Sequence, residues 1–168
     1  MSGNNSGNIT KTELQNLELQ GSVDSSEIIL GEPESTHEHM SLLVFIDGKA
    51  VNLSESRYML KDRNVHFENE DGIVIHKHTT GVTLPYFLST LGIDLTKDCL
   101  TFDTGEQYCT SPAGKKLQVI VNGVTIKDVK YYEIKEKDKI LIDYGNDDET
   151  RLRFKFNGIP DVPVEINL

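Results

Sequence analysis

Residues 116–145 read KLQVIVNGVTIKDVKYYEIKEKDKILIDYG, and this stretch decides the fold class. Residues 116–121 alternate strongly enough to form a strand. Asn122-Gly123 is the two-residue signal of a tight hairpin, and residues 124–126 return from it. A charged turn over 135–139 then leads into an apolar strand at 140–144.

Working back along the chain, VTLPYFLSTLGI (82–93) carries the punctuation of one helix. Thr83 is placed to cap it, Pro85 is tolerated in its first turn, and Gly92 suits the position just past its end. Leu84, Phe87, Leu88 and Leu91 make a single apolar stripe at helical spacing, which is a core face. CLTFDTGEQYC (99–109) reads as a hairpin turning at Asp103-Thr104-Gly105, a register that sets Cys99 opposite Cys109. VHFEN (65–69) and IVIHKH (73–78) flank Glu70-Asp71-Gly72. A three-residue loop there pairs Asn69 with Ile73, Phe67 with Ile75 and His66 with His76, whereas a two-residue loop would slip the register by one. SLLVFIDG (41–48) is a further apolar strand ending in an Asp-Gly turn, with 49–53 returning. Beyond 145, RLRFKF (151–156) alternates apolar and basic residues and reads as an added edge strand guarded by its charges.

Strands, one helix, then more strands make an α+β domain. The order resembles the β-grasp fold of ubiquitin and the small sulfur-carrier proteins, most clearly at 116–145. Those carriers end in Gly-Gly directly after the fold. Here Tyr144-Gly145 is followed by an acidic stretch and 23 further residues, so carrier chemistry is rejected. The expectation is a β-grasp-like mixed sheet with one main helix and extra hairpins over 36–145. A disordered arm over 1–35 precedes it and an extension over 146–168 follows.

The arm follows from composition. Residues 1–35 hold no aromatic side chain and are rich in Asn, Ser, Gln, Glu and Gly, too little apolar surface to offset ordering entropy. The net charge of −10 comes without a cluster of Lys and Arg, which argues against nucleic acid as a partner. No run approaches a membrane span, and the start MSGNNSGNIT shows no export signal.

All five histidines fall between positions 37 and 78, as His37 and His39 in THEHM, His66 in VHFE, and His76 and His78 in IVIHKH. Residues i and i+2 of a strand share a face, about 6.5–7 Å apart. Two imidazoles at that spacing can lean onto one ion, with a neighbouring strand adding a third. Single histidines at strand ends are ordinarily just exposed side chains, but two HxH pairs plus a fifth within 42 residues point to a metal site. His76, His78 and His66 are its expected centre, with His37 and His39 contributing. Glu68, two residues after His66, is a ligand or an acceptor orienting an imidazole. Imidazole ligation suits a divalent transition metal, zinc ahead of copper. Three readings of Cys99 and Cys109 stand open, namely a hairpin disulfide favoured by the register, reduced core thiols, or metal ligation without CxxC spacing.

The series HEHMSLLVFIDGK, RNVHFENEDGIVIHKHTTGVTL, FLSTLGI, the two cysteines and KILIDYG resembles an uncharacterised archaeal family seen in ammonia-oxidising archaea, over about residues 36–145. Members often carry an N-terminal membrane anchor, so the resemblance implies an extracytoplasmic domain, although no anchor is visible here. It brings no established activity. Nucleotide-binding glycine motifs, HExxH and GxSxG are absent, so the chain leans away from being an enzyme. The favoured function is an accessory or metal-handling domain. The alternatives are a metal-free module binding a protein partner through a sheet edge or the arm, and a zinc-dependent hydrolase in which Glu68 serves a water-accessible ion.

Overall fold

The structure, a computed structural model, describes residues 29–162. The arm read over 1–35 therefore lies outside the described residues except at 29–35. There, Gly31 N–H donates to the Thr80 carbonyl at 2.9 Å, and just beyond the arm Thr36 N–H donates to the His78 carbonyl at 3.4 Å.

The elements run β1 (Glu38–Ile46), β2 (Lys49–Ala50), a 3-10 turn (Ser56–Tyr58), β3 (Val65–Glu68), β4 (Asp71–Lys77), α1 (Leu84–Thr90), β5 (Ile93–Leu95), β6 (Cys99–Phe102), β7 (Gln107–Cys109), β8 (Lys116–Val121), β9 (Val124–Thr125), β10 (Lys139–Gly145) and α2 (Glu149–Asn157). One sheet has the order β3-β4-β1-β10-β8-β9, with β2 attached to β1. A second, of three strands, has the order β5-β6-β7. β1 is central and runs parallel to β10, from Ser41 beside Lys139 to Ile46 beside Tyr144. The first strand lying parallel beside the last, with a hairpin strand outside it and a helix between, is the β-grasp arrangement.

Alternation divides each strand between two faces. Met40, Leu42 and Val44 of β1, Ile75 of β4, Val65 and Phe67 of β3, and Ile140 and Ile142 of β10 join Leu84, Phe87 and Leu88 of α1 in the main core. Phe67 meets Phe87 edge to face, with centroids 5.1 Å apart. α1 begins as its sequence requires, the Thr83 hydroxyl accepting from Tyr86 N–H, and Gly92 follows it at φ +78°.

The opposite face carries Leu43 and Phe45 of β1, Leu141 of β10 and Ile120 of β8, and α2 covers them with Leu152 and Phe156. This corrects the edge strand expected over 151–156. Asp148 caps the helix by accepting from Arg151 N–H, Glu149 sits in its first turn, and Lys155 in its last. Leu152 and Phe156, four residues apart, share the buried face. Phe154, which completes the apparent period-two pattern, is 81% exposed. An apolar sheet face needing cover outweighs a short alternation. Lys155 pins the helix through ion pairs to the fully buried Asp143 and to Asp147.

The β3–β4 turn also differs from expectation. It has two residues, Asn69 and Glu70, at φ +56° and +59°, the left-handed pair of a type I′ turn. His66 still pairs with His76, because residues 72–75 of β4 bulge opposite Phe67 alone. Asp71 Oδ1 holds the bulge by accepting from Ile73 N–H at 2.8 Å and Val74 N–H at 3.1 Å. Gly72 is required by closeness rather than by the turn. A Cβ there would lie 2.2 Å from the Leu53 carbonyl carbon and 2.4 Å from its oxygen.

Candidate metal centre

Three registers assemble the histidines. β3 pairs His66 with His76, and β1 pairs His39 with His76. His66, His76 and His39 therefore form a row across three adjacent strands, one imidazole each, on the sheet face away from α1. The register of β1 and β4 carried one step further sets His37 beside His78 as a second row. Parity does the rest, since i and i+2 return to the same face.

The sheet brings all five imidazoles together. Ring centroids are 4.9 Å apart for His37 and His39, 4.7 Å for His39 and His76, and 4.9 Å for His37 and His78. His37, His39 and His76 each place one ring nitrogen within 4.8 Å of the others. Three nitrogens on one tetrahedral zinc stand roughly 3.3 Å apart, given bonds of about 2.0–2.1 Å. The trio therefore has to close by at most about 1.5 Å. His39 is 7% exposed while His37 is exposed, so the group opens to solvent on one side.

Carboxylates and carbonyls surround the rings. Glu68 Oε2 is 3.5 Å from His66 Nε2, and its Oε1 is 3.7 Å from His76 Nε2. His66 Nδ1 lies 2.9 Å from the Asp62 carbonyl oxygen. That contact places the proton on Nδ1 and leaves Nε2 as the lone-pair nitrogen, the usual orienting device of a ligand histidine. Burial holds His76 below the ordinary imidazole value, with His39, His66 and His78 adding to the depression against Glu68. Burial also lowers His78, helped by His66 and His37 and opposed by Glu34. Both shifts favour the neutral form that ligates a metal.

Sequence reasoning missed the ionic lock behind the site. The central residues of HEH and HKH are Glu38 and Lys77, which pair directly across β1 and β4. They point to the other face, where the Lys77 ammonium, 2% exposed, donates to Glu38 at 2.8 Å, to Glu133 at 3.2 Å and to the Ile134 carbonyl at 2.7 Å. Opposite charges at the centres of the two motifs were the legible signal. Glu34, 3.4 Å from His78 Nδ1, and Glu136, whose carboxylate accepts from His39 N–H at 2.6 Å, carried no signal, because both come from loops far from the strands they meet.

Elsewhere, Cys99 and Cys109 face each other across β6 and β7 and are disulfide-bonded. No helix among the described residues is long and apolar enough to cross a membrane. Comparison with protein-family models, with curated proteins and with solved structures finds no match.

Proposed function

We propose that this chain is a metal-binding domain that takes a divalent transition metal, zinc ahead of copper, in an accessory or metal-handling role outside the cytoplasm. The observation carrying this reading is the convergence of His37, His39 and His76 within 4.8 Å from two separate HxH motifs. Imidazole donors select zinc, copper or nickel over calcium or magnesium. The disulfide and the resemblance to an archaeal family of anchored domains support the extracytoplasmic placement.

Elemental analysis of untagged protein, beside a His37→Ala/His76→Ala variant, tests the proposal. Near-stoichiometric zinc or copper that the variant loses is the expected result. Metal-free protein, with a variant of unchanged metal affinity, would overturn it and bring forward a protein-interaction role. A second reading, zinc-dependent hydrolysis, draws support from three imidazoles leaving a fourth coordination position open and from the Glu68 carboxylate beside His76. Hydrolysis of an activated ester that zinc restores to apo-protein, and that Glu68→Gln removes, is what this reading requires.

A further inference from the structure

The five imidazoles form a closed ring of contacts. The circuit of centroid separations runs 4.9 Å from His37 to His39, 4.7 Å to His76, 6.1 Å to His66, 5.1 Å to His78 and 4.9 Å back to His37. An ion on His37, His39 and His76 engages only one arc of it. His66 and His78 remain on the other arc, stacked with 28° between their planes.

Further features converge on that arc. The Glu68 carboxylate straddles the two arcs, with Oε2 3.5 Å from His66 Nε2 and Oε1 3.7 Å from His76 Nε2. The Asp62 carbonyl holds His66 so that its Nε2 lone pair faces this carboxylate. His78 Nδ1 is buried without a hydrogen bond and looks toward Glu34 Oε2 at 3.4 Å. A buried ring nitrogen without a hydrogen bond is costly, and a ligated ion would satisfy it.

Resting on the metal-binding reading above, we propose that the ring holds two divalent transition-metal ions, the first on His37, His39 and His76 and the second on His66 and His78, with the Glu68 carboxylate bridging them. Paired ions in such sites lie about 3.5–4 Å apart, and a shared carboxylate offsets part of the repulsion between two dications. The second position has two imidazoles and half a carboxylate against three imidazoles for the first, and its donors are not gathered within 4.8 Å of one another as the first trio's are. Filling is therefore sequential, with the second ion weaker.

Titration of apo-protein with zinc, followed by native mass spectrometry and calorimetry, tests this beside His66→Ala/His78→Ala and Glu68→Gln. Wild type is expected to take two ions in two steps. The double variant is expected to take one, its first-step affinity within about threefold of wild type, and Glu68→Gln to weaken the second step about 10–100-fold. A single ion in wild type, with no second step up to millimolar zinc, would overturn the two-ion proposal and leave the one-ion reading standing. No binding at all would overturn both. Loss of the first step in a folded double variant would also overturn it, since His66 and His78 would then belong to the first ion. If circular dichroism shows that variant unfolded, wild type loaded with two equivalents of copper(II) decides. A half-field resonance from coupled ions supports the proposal, and a spectrum of isolated ions refutes it.

Discussion

Acidification from pH 7.5 to 5.0 should strip the metal, and the size of the loss identifies the ligands. A ligand imidazole must be neutral to bind. An ordinary imidazole, with a pKa of about 6.5, loses about 30-fold in neutral fraction by pH 5.0. Burial and three neighbouring imidazoles hold His76 below that value. The affinity of the first ion should therefore fall by more than about tenfold over this range, with the lowered His76 softening the loss. Competition against a chromophoric chelator at fixed ionic strength measures it. A fall smaller than tenfold, or one that begins only near pH 4, would refute the imidazole site and point to carboxylate ligands. Apo-protein should respond in the same direction by linkage. His76 and His78 have folded values below the unfolded one, so the unfolded chain takes protons first. Stability is complete above about pH 6.5 and declines as pH falls toward the lowered folded values.

Reducing the Cys99–Cys109 bond, or replacing both cysteines with serine, should destabilise the domain by up to roughly 2.7 kcal/mol, the chain-entropy value for a loop of this length, read by urea unfolding; no change would mean that the β6–β7 hairpin persists in the unfolded chain. Protein recovered from its own cells under thiol-blocking conditions should carry no free thiol, and two labelled cysteines would sink the extracytoplasmic placement. In the β3–β4 connection, Glu70→Gly should stabilise by about 1 kcal/mol by relieving a left-handed non-glycine residue, whereas Gly72→Ala should destabilise by about 2 kcal/mol or more by driving a methyl into the Leu53 backbone; equal effects of the two substitutions would contradict the two-residue turn. Asp148→Ala should remove about 1 kcal/mol through the lost cap and Leu152→Ala about 2–3 kcal/mol, while Phe154→Ala should be nearly silent. A costly Phe154→Ala would restore the edge strand in place of α2.

Much of the architecture rests on local chemistry. Thr83, Pro85 and Gly92 bound α1 wherever it docks, because caps and backbone preferences act within one turn. Asp103-Thr104-Gly105 sets Cys99 against Cys109, and Asn122-Gly123 turns β8 into β9, because short hairpins carry their register in the loop. The parity of each HxH pair is equally local, since strand period alone places both rings on one face. What lies beyond sequence is which strands become neighbours. Only the tertiary pairing of β1 with β4 sets His39 against His76, and with it Glu38 against Lys77, across more than thirty residues of intervening chain. The His66–His76 register likewise survives because Asp71 and the Gly72–Leu53 approach absorb a bulge that no loop rule contains. The segment at 151–156 shows the same division. Its alternation suits a strand, but the apolar row of Leu43, Phe45, Leu141 and Ile120 on that sheet face requires cover, and a helix capped by Asp148 supplies it. Turns and caps are decided by energies within a few residues. A five-imidazole ring depends on contacts between distant segments, which exist only once the sheet has closed.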